Sequence, residues 1–155
     1  MRPTTPSAIG RRTIMLGLSA GACALALAPK PAWATRAEAD ELIAKLTGGA
    51  KPQIDAKIRI KLPEIAENGN TVPFTVSVDH PMAEGNYVKA IHIVAEGNPA
   101  PQVASFHFTP TGKAEVYARL RLAKTQEVRA IAVLSDGSAL EARKEVKVTV
   151  GGCGG

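Results

Sequence analysis

The sequence predicts an all-β fold: an immunoglobulin-like antiparallel β-sandwich of about seven strands, with one short helix before it and a flexible arm after it. Three observations carry that expectation. From Ile58 onward apolar residues alternate with polar ones, the period-two pattern of strands that bury one face. Turn signals separate the alternating runs at Asn68-Gly69-Asn70, His80-Pro81, Glu84-Gly85-Asn86, Gly97-Asn98-Pro99, Thr111-Gly112 and Asp136-Gly137. Aromatic residues make up only 4% of the chain, so Val, Ile, Leu and Ala must fill the interior.

Taken in order, residues 1–34 read as an export signal and not as part of the fold. Arg11 and Arg12 precede an apolar stretch from Ile14 to Ala28, and Ala32-Trp33-Ala34 supplies an A-x-A cleavage site. Such a stretch is too short and too weakly apolar for a comfortable membrane span. The arginine pair followed by Thr13-Ile14-Met15-Leu16 resembles a twin-arginine signal, which exports proteins already folded. Cys23 follows small residues, as in a lipoprotein box. It lacks the usual leucine three positions earlier, and a better cleavage site lies beyond it. Lipidation is therefore the lesser reading.

Removal of this leader changes what the composition means. Four of the 19 Lys and Arg leave with it and none of the 14 acids, so the net charge falls from +5 to +1. The basicity belonged to the leader, which removes the main electrostatic case for a nucleic-acid partner. Of the two cysteines only Cys153 remains. One cysteine cannot form an internal disulfide, so its thiol is free, shared with another chain, or chemically occupied.

Residues 35–150 form the expected domain. Thr35-Arg36-Ala37-Glu38 is a capping box. Ala39, Leu42, Ile43 and Leu46 follow at helical spacing, and Gly48-Gly49 ends the helix. Strands are then expected around Ile58, Ile60 and Leu62, and over residues 72–78, 87–95, 103–108, 113–122, 127–134 and 139–150. Asp136-Gly137 predicts a two-residue type I′ hairpin between the last two.

The body offers little chemistry. His92 and His107 lie within strands, flanked by apolar neighbours, and His80 begins a turn. A blue-copper centre would place a histidine and a methionine soon after its cysteine, and only glycine follows Cys153. No metal site and no cofactor are expected. There is no G-x-S-x-G elbow and no phosphate-binding glycine loop. Ser77, Ser105, Ser135 and Ser138 read as strand or turn residues, and adjacent Asp79 and His80 point to opposite faces of a strand.

That leaves residues 151–155, Gly-Gly-Cys-Gly-Gly. Nothing in the neighbouring sequence activates the Cys153 thiol, whose reactivity follows its thiolate fraction. Gly151, Gly152, Gly154 and Gly155 add minimal width and wide conformational freedom. An extended chain from Val150 places Cys153 up to about 10 Å out. The tail therefore reads as a covalent attachment point whose chemistry other enzymes supply.

The leader, the small β-rich domain and the terminal Gly151-Gly152-Cys153-Gly154-Gly155 together resemble the SoxY family, sulfur-carrier subunits of the periplasmic thiosulfate-oxidising system. The resemblance implies that Cys153 holds thiosulfonate and persulfide intermediates. It implies a heterodimer with a SoxZ-like β-sandwich subunit. It also implies visits to a c-type haem coupling enzyme, a sulfate-releasing hydrolase and, where present, a sulfane dehydrogenase. Two other readings stay open. Ubiquitin-like sulfur carriers also end in Gly-Gly, but they are cytoplasmic and need no tail cysteine. An exported binding module could use Cys153 only to form a disulfide-linked dimer.

Overall fold

The computed structural model describes residues 34–152. Arg11, Arg12, Ala32, Cys153, Gly154 and Gly155 lie outside the described residues.

The chain enters the domain through its capping box. The Thr35 hydroxyl accepts from the Glu38 N–H, and the Thr35 N–H donates to Glu38 Oε2 at 2.8 Å. Such a cap is worth about 1 kcal/mol. Helix α1 then spans Arg36–Leu46, with Lys45 in its last turn. Gly48 and Gly49 stop it with φ of 64° and 90°, conformations that a Cβ disfavours.

Nine strands follow among the described residues. They are β1 (Gln53–Ile54), β2 (Ile58–Lys61), β3 (Ile65–Ala66), β4 (Val72–Val78), β5 (Val88–Ala95), β6 (Gln102–His107), β7 (Glu115–Leu120), β8 (Gln126–Leu134) and β9 (Ala139–Val148). The larger sheet runs β1-β9-β8-β5-β6, with β3 also beside β9. The smaller is β2-β4-β7. The seven strands expected from alternation are all present within a few residues of their expected ends. The two additions, β1 and β3, run parallel to β9, pairing Gln53 with Leu140 and Ile65 with Lys147. The sandwich is thus not wholly antiparallel. Two residues are too few to display a period, which is why the sequence concealed both strands.

The two sheets face each other across an aliphatic core. Val72, Phe74 and Val76 from β4 meet Ile91 and Ile93 from β5, Ala130 and Ala132 from β8, and Val146 from β9. The alternation in β4 is nearly complete, with Pro73 exposed between buried Val72 and Phe74. A proline is unexpected in a central strand. Here β2 pairs only with residues 75–78, so Pro73 lies past its end and pairs on one side, with Arg119. In β5, Val88 and Ile91 both reach this core although their spacing is odd. A bulge between Val88 and Ala90 shifts the register and returns the next side chains to the same face.

Helix α1 covers the outer face of the larger sheet, where Ala39 and Ile43 pack on Val94, Ile131 and Ala139. An ion network crosses the same layer. The Arg129 guanidinium, 4% exposed, meets Glu141, 2% exposed, at 2.5 Å, and reaches Asp40 of α1 and Glu96. Arg143 pairs with both Glu141 oxygens at 2.9 and 3.0 Å. Burial opposes the charge on Arg129, but its hydrogen bonds to Glu141 and Asp40 outweigh burial and raise its pKa above the ordinary guanidinium value. Charges this buried are tolerated only when paired.

The hairpin after β8 differs from the expected type I′ turn. Within it only Gly137 has positive φ, at 88°, and among the described residues none other than glycine has one. The Gly137 N–H donates to the Leu134 carbonyl at 3.2 Å and the Leu134 N–H to the Ser138 carbonyl at 2.9 Å, a three-residue loop with glycine in the bulge position. Asp136 avoids the left-handed region, and its carboxylate instead accepts from the Ser138 hydroxyl and N–H. Those bonds lower its pKa.

Candidate functional site: the root of the C-terminal tail

The residues leading to Cys153 are held by backbone, with a side-chain bond from Thr149. Strand β9 ends at Val148, two residues before its expected end. Thr149 then donates its N–H to the Ala66 carbonyl at 3.0 Å and its hydroxyl to the Glu67 carbonyl at 2.8 Å. The Gly69 N–H donates to the Val150 carbonyl at 2.8 Å, and the Gly152 N–H to the Leu122 carbonyl at 2.9 Å. Leu122 closes the set by donating its N–H to the Gly69 carbonyl at 2.8 Å. Three chain segments thus share one backbone node.

Glycine is required there for space. A Cβ on Gly69 would lie 2.2 Å from the Leu122 oxygen and 2.8 Å from the Gly152 nitrogen. One on Gly151 would lie 2.2 Å from the Ala123 oxygen, and one on Gly152 would lie 2.4 Å from the Gly69 oxygen. No real Cβ sits that close to backbone atoms, and close packing leaves little room to yield.

A buried amide pair supports the node from behind. Asn98 and Gln126 are each 7% exposed. Asn98 donates through Nδ2 to the Arg121 carbonyl at 2.8 Å. Its Oδ1 accepts from the Ala123 N–H at 3.0 Å and from Gln126 Nε2 at 2.9 Å. Gln126 Oε1 in turn accepts from the Gly97 N–H at 2.7 Å. Every polar atom of this pair faces a partner, as burial demands, so segment 121–123 presents a fixed edge to the tail. The Asn98 carbonyl also accepts from the Ala34 N–H at 3.0 Å. Ala34, the expected cleavage residue, therefore lies beside the same support.

Of the expected site residues, Gly151 and Gly152 are brought to this node and Ala34 beside it. Sequence reasoning missed Gly69, Asn98 and Gln126. The first two sat in segments read only as turns, and nothing local marks a turn glycine as a tail contact.

The other candidates stay apart. His80 Nε2 bonds Asn86 Oδ1 at 2.9 Å, not Asp79. His92 is buried and its Nδ1 meets Ser105 Oγ at 2.7 Å. Burial, and then the nearby His107, lower the His92 pKa. Gln102 rather than a carboxylate completes that contact, so serine and histidine here lack the third group of a nucleophilic triad. Among the described residues no three His, Cys, Asp or Glu cluster as metal ligands do. No helix among them is long and apolar enough to cross a membrane.

Fold and site together define a class: a small β-sandwich protein whose distinctive feature is a tethered terminal tail. Comparison with known proteins places it further. The family model "Sulfur oxidation protein SoxY" matches residues 43–153, and the chain belongs to the SoxY family. The sulfur carrier protein SoxY from Chlorobium limicola f thiosulfatophilum is 40% identical, with a TM-score of 0.62 over 72% of this chain and 96% of that one. The superoxide reductase (neelaredoxin) from Ignicoccus hospitalis is 26% identical, with a TM-score of 0.53 over 76% of this chain and 95% of that one. The superoxide reductase from Nanoarchaeum equitans, 15% identical with a TM-score of 0.52 over 63% and 99% of the two chains, shares the fold alone. No match was found among curated proteins.

Proposed function

We propose that this chain is a covalent carrier of sulfur in thiosulfate oxidation, with Cys153 as the attachment point, and that it is not itself an enzyme. The observation that carries the reading is positional. The family match ends on Cys153, the residue between two glycine pairs and the lone cysteine after the leader. The carrier described from Chlorobium, similar along most of its length, supports it.

The chemistry follows from a thiol that others act upon. Oxidative coupling joins the thiolate to the sulfane sulfur of thiosulfate, forming one S–S bond and passing two electrons to a c-type haem partner. Hydrolysis by a second partner then adds water across the bond to the sulfone group, releasing sulfate and two protons and leaving a persulfide. A sulfane dehydrogenase, where one serves the system, takes six electrons and adds three oxygens from water. A second hydrolysis restores the thiol. The carrier needs no resident cofactor for this, since its cargo is sulfur bound to Cys153.

The carrier works in the periplasm as a heterodimer with a SoxZ-like sandwich subunit. A cofactor-free sandwich has little reason to be exported folded unless it assembles first. Deleting residues 1–34 is accordingly expected to strand both subunits in the cytoplasm, as cell fractionation and blotting would show. Normal export of the partner would contradict that shared route.

Intact mass of the protein after thiosulfate exposure with the partner enzymes tests the carrier reading. Thiosulfonate or persulfide adducts on Cys153 are expected. A chain recovered only as a disulfide-linked dimer would favour the exported binding module instead.

A further inference from the structure

Four tail glycines would give an arm full freedom from Val150 onward, yet two of them are seated. Gly151 lies over the Ala123 carbonyl, and Gly152 lies over Gly69 with its N–H bonded to Leu122. No side chain takes part in these contacts, so no rotamer can swing aside to relieve a crowded one. The Asn68-Gly69-Asn70 turn is itself fixed, with the Asn70 N–H donating to Asn68 Oδ1 at 2.9 Å.

We infer that Gly69 is the positioning residue for Cys153. By lacking a side chain it admits the Gly152 backbone, and so sets where the thiol leaves the sandwich and how much chain carries it. With the seat filled, Cys153 is one residue from a held N–H···O bond, and a single extended residue spans about 3.5 Å. With the seat vacated, Thr149 is the last held residue, and the four residues after it extend the reach to about 14 Å. The tail therefore has a short and a long state. A shallow partner cleft takes the seated tail, and a deep channel requires it to peel away. Peeling breaks the Gly152–Leu122 and Val150–Gly69 bonds and leaves β9 intact, a local opening that spares the core. The biological use of the two lengths rests on the carrier reading; the seat itself does not.

The test uses the full chain with Cys23→Ser, so that Cys153 is the only thiol, and a nitroxide attached there. Electron paramagnetic resonance then reports how much of the tail is held. The parent is expected to show a slow-motion component. Gly152→Ala and Gly69→Ala are each expected to reduce the seated population by roughly five- to thirty-fold, the consequence of losing two backbone hydrogen bonds. Gly154→Ala should leave the spectrum unchanged. The double variant should add nothing, since both methyls block one seat. Gly152→Ala decides the matter if Gly69→Ala fails to fold, because its methyl sits on a tail that can lift away. A label equally mobile in the parent and Gly152→Ala would overturn the inference, as would an equal effect of Gly154→Ala. The measurement needs no sulfur chemistry. Seating with no sulfur adduct on Cys153 would therefore sink the carrier reading and leave Gly69 as the positioning residue.

Discussion

Cys153→Ser is expected to abolish thiosulfate-dependent sulfate formation in a reconstituted system, with the thermal unfolding midpoint unchanged. The two halves of this result have separate causes. Serine keeps the size and the polar character of the side chain. The nearest described residue, Gly152, is held through its own backbone, and every bond of the node is made by residues before Cys153. On the proposed carrier role the chemistry depends completely on the sulfur atom. A hydroxyl is far less acidic than a thiol and forms no persulfide or thiosulfonate, and Cys23, the one other cysteine, lies in the segment expected to be removed as a leader. Loss to the background rate, in assays of sulfate release and of electrons delivered to the haem partner, is therefore the outcome. Residual turnover by a well-folded variant would mean that sulfur is carried elsewhere.

Glu141→Leu is expected to cost about 3 kcal/mol of stability, the lower end of the range for breaking one side of a buried ion pair. Glu141 is 2% exposed and is shared between Arg129 and Arg143. Its loss leaves the Arg129 guanidinium 4% exposed with only Asp40 and Glu96 to answer it. Those remaining carboxylates are the reason for choosing the lower end. Arg143 is more exposed and can turn to water, so it adds little. The double replacement Arg129→Met/Glu141→Leu should recover much of the loss, since an apolar pair of similar volume removes both desolvation costs. Urea unfolding monitored by circular dichroism measures both. A single-variant loss below about 1 kcal/mol, the scale of an exposed pair, would show that the network is not functionally buried.

How much of this was legible in the sequence varied with the range of the interaction. The capping box at Thr35 and Glu38 and the Gly48-Gly49 stop are local chemistry, and they appear where expected. Alternation such as that of residues 72–78 fixes which side chains enter the core without any knowledge of the partner sheet. Strands β1 and β3 carry no period and exist only because β9 offers them an edge. The Asp136-Gly137 signal marked a hairpin correctly but named the wrong turn, because the Asp136 carboxylate found Ser138 instead of a left-handed backbone.

The tail shows the same division at the site. Position and composition pointed to Gly151-Gly152-Cys153-Gly154-Gly155, and they suggested freedom for every glycine. The structure divides that run. Gly151 and Gly152 are glycine because Ala123 and Gly69 stand where a Cβ would go. Gly69 itself is 81 residues from Val150 and 83 from Gly152 in sequence, and reads locally as an ordinary turn. No spacing rule links Asn98 and Gln126 to the tail glycines either; only the folded edge at Ala123 does.

A labelled single turnover tests the carrier role most directly. Thiosulfate carrying a labelled sulfane sulfur is mixed with the full set of partner enzymes, quenched at intervals, and the C-terminal peptide is isolated. The account predicts that the first sulfate released is unlabelled while the label accumulates on the peptide containing Cys153, leaving it only in later sulfate or on chase with unlabelled substrate. Labelled sulfate produced with no label ever passing through Cys153 would contradict it.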